Sequence, residues 1–132
     1  MSGAPALANR LVAGMLTSRA HRVVSRAVCL LEVVGRSTGR TYRFPVQYAE
    51  ADGRLVVWPG HPERKTWWHN LRTPAPVAVW LRGARRAGQG VVVTPDDEGY
   101  ASAHVAYAQR FPKAGLPATD PLVSVTLQPA PR

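Results

Sequence analysis

Residues suited to binding a phosphate group cluster in residues 35–43, whose sequence is GRSTGRTYR. Two glycines flank Ser37 and Thr38, and arginines occupy positions 36, 40 and 43. Such a turn can direct backbone N–H groups and hydroxyls at a phosphate, while guanidinium groups neutralise it through paired hydrogen bonds. It is not a Walker loop, because no Gly-Lys-Ser/Thr ends it and a strand rather than a helix is predicted to follow. Taken alone, the segment can also be interpreted as a solvated hairpin turn.

A second segment with chemical potential, residues 63–71, has the sequence ERKTWWHNL. Two adjacent tryptophans, Trp67 and Trp68, cannot share one face of a short helix. One indole is therefore expected to enter the core, and the other to border a cleft where it can stack against a planar ring. Arg64 and Lys65 bring cations to the same place. Two ordinary core tryptophans are the alternative interpretation.

The sequence contains no recognisable arrangement of catalytic side chains. The four histidines show no metal-ligand spacing, and no serine lies in a nucleophile-elbow pattern. The sole cysteine, Cys29, lies in an apolar run, which predicts a buried and unreactive thiol in a reducing compartment. Neither a metal site nor a disulfide is predicted. If the protein is an enzyme, a bound cofactor carries the chemistry.

Short strands joined by tight turns are predicted to position these segments. The strands are predicted at residues 28–34, 41–50, 55–58, 77–82, 87–93 and 122–127, and the helices at residues 4–27, 65–72 and 94–111. Pro45 indicates an edge or a bulge, Asp52-Gly53 indicates a hairpin turn, and Thr94 is a suitable N-cap. The pattern predicts one domain, residues 1–132, of mainly β (α+β) class, built as a six-stranded antiparallel barrel.

The net charge of +9 is unevenly distributed along the chain. Residues 1–95 contain 14 Lys and Arg and four acids, a net charge of +10, whereas residues 96–132 have a net charge of −1. Such basicity indicates an anionic partner: a nucleic acid, a membrane surface or an acidic small molecule. A nucleic acid is disfavoured, because the exposed aromatic residues of a nucleic-acid-binding sheet are not in the pattern and the tryptophans lie beside a helix.

The predicted N-terminal helix, residues 4–27, combines an apolar stripe with four arginines and contains no acid. We expect it to dock on the barrel, as amphipathic helices of small domains usually do. Peripheral contact with an anionic membrane is the alternative. No apolar stretch approaches the roughly 18 residues that span a bilayer, and the N-terminus does not have the pattern of a secretory signal. A cytoplasmic protein is expected.

Four motifs stand in order between residues 28 and 95: Gly35-Arg36-Ser37-Thr38-Gly39, then Pro45, then residues 52–57 (DGRLVV), then residues 67–71 (WWHNL). Together they resemble the deazaflavin (F420)-dependent nitroreductase family. The resemblance implies a split β-barrel like that of the flavin reductases and pyridoxamine-phosphate oxidases. It also implies use of coenzyme F420, whose tail carries a phosphodiester and several glutamates. The implied activity is hydride transfer from this coenzyme to a small organic acceptor, such as a quinone, an enone or a nitro compound.

The resemblance also implies where the coenzyme binds, and it assigns no catalytic side chain. The residues expected to border its phosphate and ring are Arg36, Ser37, Thr38, Gly39, Tyr42, Arg43, Phe44 and Pro45. Those expected to form the cleft wall and to close around the coenzyme are Trp58, Pro59, Gly60, Arg64, Lys65, Trp67, Trp68, His69 and Asn70. A basic groove suits an acidic tail, and an aromatic wall suits a planar ring.

Ser37 stands where the family often has a lysine, so this departure concerns one of the implied phosphate contacts. The loop before Trp67 is shorter than in the quinone- and nitroimidazole-reducing members, and the tyrosine-rich C-terminal segment that covers the substrate in those members is thin here. The resemblance therefore leaves the natural acceptor open. The alternative function is a non-catalytic carrier of deazaflavin, FMN or haem on the same fold, and FMN is the alternative cofactor. Split barrels of this type commonly dimerise, so a homodimer is also expected.

Overall fold

The computed structural model describes residues 28–129, which contain a closed barrel of six antiparallel strands. The strands are β1 (Val28–Val34), β2 (Thr41–Ala51), β3 (Arg54–Val57), β4 (Ala75–Leu81), β5 (Ala84–Val93) and β6 (Leu122–Leu127). A 3₁₀ helix (Trp67–Leu71) precedes β4, and helix α1 (Tyr100–Arg110) precedes β6. Around the barrel the order is β1-β2-β3-β6-β5-β4, and β4 pairs back with β1. The six-stranded antiparallel barrel predicted from the sequence is confirmed.

Strand β2 connects two parts of the barrel, because its two halves pair with different strands. Residues 41–47 pair with β1, and residues 48–51 pair with β3. Pro45 lies in the first half, opposite Leu30, where β2 pairs with β1 alone. On its other side, residue 45 pairs with no strand, so the edge position predicted for this proline is confirmed.

Two clusters of buried side chains stabilise the barrel. The interior is filled from all six strands and from the 3₁₀ helix, with Leu31, Phe44, Trp67, Leu71 and Val79 among its members. A second cluster lies outside the barrel wall, where Tyr100, Ala103 and Tyr107 of α1 pack against β2, β3, β5 and β6. The interior cluster includes Trp67 and Leu71, so packing holds the 3₁₀ helix against one end of the barrel.

Two predicted helices are shorter in the structure than the sequence suggested. The segment predicted as helix 65–72 is the 3₁₀ helix Trp67–Leu71. The segment predicted as helix 94–111 begins as a separate turn, in which Oδ2 of Asp97 accepts a hydrogen bond of 2.7 Å from the backbone N–H of Thr94. Gly99, a poor helix former, separates this turn from α1, which begins at Tyr100.

The hairpin between β4 and β5 is tighter than predicted. Leu81 pairs with Ala84, so Arg82 and Gly83 alone form the loop, and β5 begins at Ala84 rather than at residue 87. The arginines at 85 and 86 suggested a longer turn, but they are strand residues. Both have side-chain contacts along the sheet, to Glu32 and to the carbonyl of Gln128 respectively.

The predicted N-terminal helix at residues 4–27, with its proposed docking or membrane contact, lies outside the described residues. Within residues 28–129, no helix is both long and apolar enough to cross a membrane.

Candidate functional site

The glycine-bounded segment between β1 and β2 folds into a compact turn held by its own backbone. The N–H of Gly35 donates to the carbonyl of Arg40 at 2.8 Å, and the N–H of Gly39 donates to the carbonyl of Gly35 at 2.9 Å. Gly39 has a φ of 70°, in the left-handed region that favours glycine. The Oγ1 of Thr38 accepts the N–H of Arg40 at 3.2 Å. We call this segment, residues 35–40, the Gly35 turn.

Gly35 is favoured in this turn because two neighbouring side chains would have to shift to admit a Cβ. A Cβ at this position would lie 2.8 Å from Oγ1 of Thr38 and 2.9 Å from Cε2 of Tyr42. Both distances are shorter than van der Waals contact allows. The same closeness brings the two hydroxyls together, with Oγ1 of Thr38 and the hydroxyl oxygen of Tyr42 3.4 Å apart. The glycine thus lets two side-chain oxygens share one side of the turn.

The 3₁₀ helix faces the Gly35 turn and is anchored by its first tryptophan. The ring of Trp67 lies 4.8 Å from that of Phe44, centroid to centroid, and only 5% of Trp67 is exposed. Trp68 lies on another side, where its Nε1 donates to the carbonyl of Pro62 at 3.0 Å and Arg72 stacks over its ring at 5.3 Å. One tryptophan enters the core, as predicted, but that buried tryptophan is also the one that lines the cleft.

Asn70 joins the 3₁₀ helix to the Gly35 turn. Its Oδ1 accepts the backbone N–H of Arg36 at 2.9 Å, and its Nδ2 donates to the carbonyl of Trp67 at 3.0 Å. Both ends of the amide are therefore used within the protein. This arrangement makes Asn70 a residue that positions the turn.

A pocket of about 300 Å³ lies between the Gly35 turn and the 3₁₀ helix. Its lining residues are Gly35, Arg36, Ser37, Thr38, Tyr42, Thr66, Trp67, His69 and Asn70. We call it the turn pocket. The lining combines hydroxyls, an arginine and an indole, and it contains no carboxylate. Its volume is at the lower end for ligand sites, about 300–1,000 Å³, so it suits one anionic or aromatic part of a larger molecule.

The structure brings together part of the predicted cofactor-binding set. Seven predicted residues line the turn pocket: Arg36, Ser37, Thr38, Tyr42, Trp67, His69 and Asn70. Gly39 lies in the same turn. Gly35 and Thr66 also line the pocket and were not in the predicted set. The signal for Gly35 was its place at the start of the glycine-bounded motif, whereas no pattern marked Thr66.

Other members of the predicted set lie apart from the turn pocket. Arg43 is next to Tyr42 on β2, and alternation along the strand turns it to the outer face, where its Nε lies 2.9 Å from Oε1 of Glu32. Phe44 is a core residue behind Trp67. Trp58 donates from Nε1 to Oδ2 of Asp120 at 3.0 Å and packs against Tyr107.

The remaining predicted residues lie on β2 and in the loop that leads to the 3₁₀ helix. Pro45 is half-buried on β2, and Pro59 is buried at the start of the loop. Gly60 has a left-handed φ of 61°, and a Cβ there would lie 3.5 Å from Nζ of Lys65. The backbone N–H of Arg64 donates to the carbonyl of His61 at 2.9 Å. None of the five remaining predicted residues lines the turn pocket: Pro45, Pro59, Gly60, Arg64 and Lys65.

A buried carboxylate on the outer face of the barrel was missed by the sequence analysis. Glu32 is 6% exposed, and it accepts bonds from Nε1 of Trp80 at 2.7 Å and from Nε and Nη2 of Arg85 at 3.2 and 3.0 Å. Burial alone would raise the pKa of Glu32. The hydrogen bonds from Arg85 and Trp80 and the charges of Arg43 and Arg85 outweigh it, so the pKa lies below its ordinary value.

Elsewhere in residues 28–129, the cysteine that the sequence predicts to be buried is buried. Cys29 is 1% exposed, and burial raises the pKa of its thiol to about 12. The same part of the chain contains no group of three or more His, Cys, Asp or Glu side chains that could hold a metal ion. The turn pocket is thus the arrangement, among the described residues, that joins the sequence motifs to a cavity.

Comparison with known proteins gives a family match. The model of the F420H(2)-dependent quinone reductase family matches residues 9–114 of the chain. No curated protein matches at a significant level.

Solved structures with the same fold share little sequence with this chain. A structure described as an F420-H2 dependent reductase (FDR-A) superposes with a TM-score of 0.61 at 16% identity, covering 76% of this chain and 94% of that chain. A structure described as a domain-swapped dimer has a TM-score of 0.64 at 16% identity, with coverage of 88% and 91%. HutZ, the heme storage protein of Vibrio cholerae, has a TM-score of 0.53 at 18% identity, with coverage of 81% and 84%. At these identities the structural likeness establishes the fold alone.

Proposed function

Because the chain belongs to the F420H(2)-dependent quinone reductase family, and is therefore an F420-dependent oxidoreductase, we propose that it binds the coenzyme at the turn pocket. The single observation that carries this proposal is the hydrogen bond between the backbone N–H of Arg36 and Asn70, which holds the Gly35 turn against the 3₁₀ helix. The two sequence motifs predicted to bind the coenzyme, residues 35–43 and residues 63–71, thereby line one cavity.

The composition of the turn pocket suits the phosphodiester of the coenzyme. Ser37 and Thr38 supply hydroxyls at the turn, and Arg36 supplies a guanidinium group. Arginine and hydroxyl groups are the common partners of phosphate oxygens. The lining has no carboxylate that would repel an anion. The residues present therefore fit the anionic part of this coenzyme.

The role of the protein is to bind and orient, since the chemistry belongs to the coenzyme. When bound, reduced F420 supplies a hydride from ring carbon 5 to an acceptor. The indole of Trp67, fixed by Phe44, offers a rigid flat surface beside the pocket. Tyr42 and His69 can donate hydrogen bonds to charge that develops on the acceptor. We propose a small organic acceptor with a conjugated electron-poor group: a quinone, an enone or a nitro compound.

We also propose that the protein is a homodimer. The support is the similar structure described as a domain-swapped dimer, together with the closed barrel that the two share. Size-exclusion chromatography with light scattering tests this: a mass of one chain, 14.3 kDa, across the working concentration range would refute it.

The experiment that tests the proposed site compares coenzyme binding and turnover in one protein. Quenching of tryptophan fluorescence should give tighter binding for oxidised F420 than for FMN. Arg36 lines the pocket, and Arg40, Arg64 and Lys65 lie outside it in the Gly35 turn and in the loop before the 3₁₀ helix, where they suit the acidic tail that FMN lacks. Single-turnover oxidation of reduced F420 with a panel of quinones, enones and nitro compounds should then identify the acceptor class.

The outcomes of this experiment separate the proposals. Equal or tighter binding of FMN would refute the choice of coenzyme. Binding of F420 without oxidation by any member of the panel would support the carrier alternative. Binding unaffected by replacement of Arg36 would refute the turn pocket as the site.

A further inference from the structure

A second pocket, of about 480 Å³, lies at the other end of β2 from the turn pocket. It is bordered by β2, by the turn between β4 and β5, and by the last residues of α1, and its polar residues are Tyr48, Glu50, Arg82, Gln109 and Arg110. We call it the Arg82–Arg110 groove. It shares no residue with the turn pocket. Tyr42 and Tyr48 are six residues apart on β2, which places the two sites about 20 Å apart along the strand.

Arg82 occupies a backbone position that its residue type does not favour. It has a φ of 51°, the following Gly83 has a φ of 80°, and Leu81 pairs with Ala84 across the turn. A two-residue hairpin loop with both φ values positive favours asparagine, aspartate or glycine at its first position. The left-handed conformation disfavours a residue with a long side chain. The backbone of the turn therefore does not explain the arginine, but its side chain lines the groove.

The charges of the groove favour an anion. Arg82 and Arg110 approach it from different elements, and Glu50 is the one acid in its lining. Nη2 of Arg82 lies 3.7 Å from Oε1 of Glu50, and both side chains are more than half exposed. An exposed pair at this distance is weak, so an anion can compete for the guanidinium group.

Neutral donors complete the lining. Gln109 supplies an amide from the last turn of α1, next to Arg110 in the sequence. Burial raises the pKa of Tyr48, while the charges of Arg82 and Arg110 oppose the rise, so both guanidinium groups act on the phenol. The hydroxyl of Tyr48 therefore stays protonated at neutral pH and can donate a hydrogen bond.

We propose that the Arg82–Arg110 groove binds a small oxyanion, a carboxylate or a phosphate, at a site separate from the coenzyme. Guanidinium groups form paired hydrogen bonds with either group. The two guanidinium groups reach the groove from the β4–β5 turn and from α1 to bind the anion, and Gln109 and Tyr48 line the same groove. This proposal does not depend on the identity of the coenzyme.

The test measures binding of inorganic phosphate and of succinate to the full chain by calorimetry, in a buffer without other oxyanions. Arg82→Asn should weaken binding about tenfold or more, the loss expected for a hydrogen bond to a charged group. Its Tm without anion should equal or exceed that of the parent, because asparagine suits the turn. Arg110→Gln should weaken binding to a similar extent and serves as the second variant.

Two further variants control for charge and for location. Lys113→Asn removes one positive charge from an exposed position outside the groove, and it should leave binding unchanged. Arg36→Ala reports on anion bound in the turn pocket. Binding of phosphate alone would identify a phosphorylated ligand class, and binding of succinate alone a carboxylate class. The proposal is overturned if neither anion binds, if Arg82→Asn and Arg110→Gln bind like the parent, or if Arg36→Ala alone abolishes binding.

Discussion

The backbone N–H of Arg36 donates a hydrogen bond of 2.9 Å to Oδ1 of Asn70, a residue 34 positions further along the chain. The bond joins the Gly35 turn to the 3₁₀ helix, and residues of both segments line the turn pocket. The side-chain amide of Asn70 is half-buried, and both its oxygen and its nitrogen are hydrogen-bonded within the protein, so its orientation is fixed. The geometry of the proposed coenzyme site therefore depends on one side chain that need not touch the coenzyme.

Replacement of Asn70 by alanine should reduce coenzyme affinity while leaving the protein folded. The change removes two hydrogen bonds, each contributing about 0.5–1.5 kcal/mol to folding, so the Tm should fall while a cooperative unfolding transition persists. The Gly35 turn would no longer be fixed opposite Trp67, and the Kd for oxidised F420 should rise. Fluorescence titration and thermal unfolding measure the two effects, with Gln47→Ala, an exposed amide on β2, as the matched control. An unchanged Kd would show that Asn70 does not position the site.

Arg36 and Arg43 were both predicted to bind the coenzyme, but their replacement by alanine should have different effects. Arg36→Ala should weaken F420 binding by roughly 1.5–3 kcal/mol, the contribution of a hydrogen bond to a charged group, with little effect on folding. Arg43→Ala should leave affinity unchanged, because Arg43 pairs with Glu32 on the outer face. Its cost should appear as a loss of stability of about 1 kcal/mol or less, since Arg43 is half exposed. Equal losses of affinity in both variants would contradict the assignment.

Gly35 offers a test of the turn that changes no charge. Gly35→Ala would place a Cβ within 2.9 Å of Thr38 and Tyr42, so the two side chains that line the pocket must move. We expect weaker F420 binding in titrations. Gly99→Ala is the matched control, because the contacts of a Cβ there begin at 3.5 Å and its φ is −78°. Affinity equal to that of the parent in Gly35→Ala would mean that the coenzyme does not use this side of the turn.

Glu32 should give the barrel an acid-sensitive component of stability. Its folded-state pKa lies below the ordinary value of 4.5, so its ionised form stabilises the fold at neutral pH. That contribution is present above the unfolded-state pKa and is lost as the pH falls through the lower pKa of the folded state. Thermal unfolding between about pH 7 and pH 3 should therefore show a steeper decline for the parent than for Glu32→Gln. Parallel declines would show that Glu32 is not the group responsible.

Cys29 should resist modification in the folded protein. Burial raises its pKa to about 12, so the thiolate required for alkylation is scarce at neutral pH, and the sulfur is 1% exposed. Mass spectrometry after treatment with iodoacetamide should find the cysteine unmodified until denaturant is added. Rapid labelling of the native protein would mean that the β1 region opens on the time scale of the reaction.

Local patterns in the sequence were sufficient for the barrel and for the turns at residues 35–40 and 52–53, but not for the length of the β4–β5 turn. The apolar run Val28–Val34 predicted β1 with its observed bounds, and alternation in residues 122–127 predicted β6 with its observed bounds. Pro45 indicated the edge position because a proline cannot donate in a ladder. Each of these patterns is formed by residues that are close together in the sequence, so each can be recognised without the structure.

Features that depend on distant partners could not be predicted in the same way. Glu32 is one acid in an apolar strand, and its partners Trp80 and Arg85 lie 48 and 53 residues away. Arg43 was predicted to bind the coenzyme together with Arg36, but alternation along β2 directs its side chain to Glu32 and away from the pocket. The sequence indicated that one of the adjacent tryptophans enters the core and that the other borders a cleft. It did not indicate that the core tryptophan, Trp67, which packs against Phe44, would also border the cleft.

The alternation of Tyr42 and Arg43 restricts how this protein can be altered. A change of one residue in the length of β2 would exchange their faces, turning a cation into the barrel and leaving Glu32 without one of its partners. A change in the length of the loop before Trp67 moves no strand residue across the wall. Changes in the length of the loop before Trp67 are therefore compatible with the barrel, whereas grafts that cross β2 must keep its residue count.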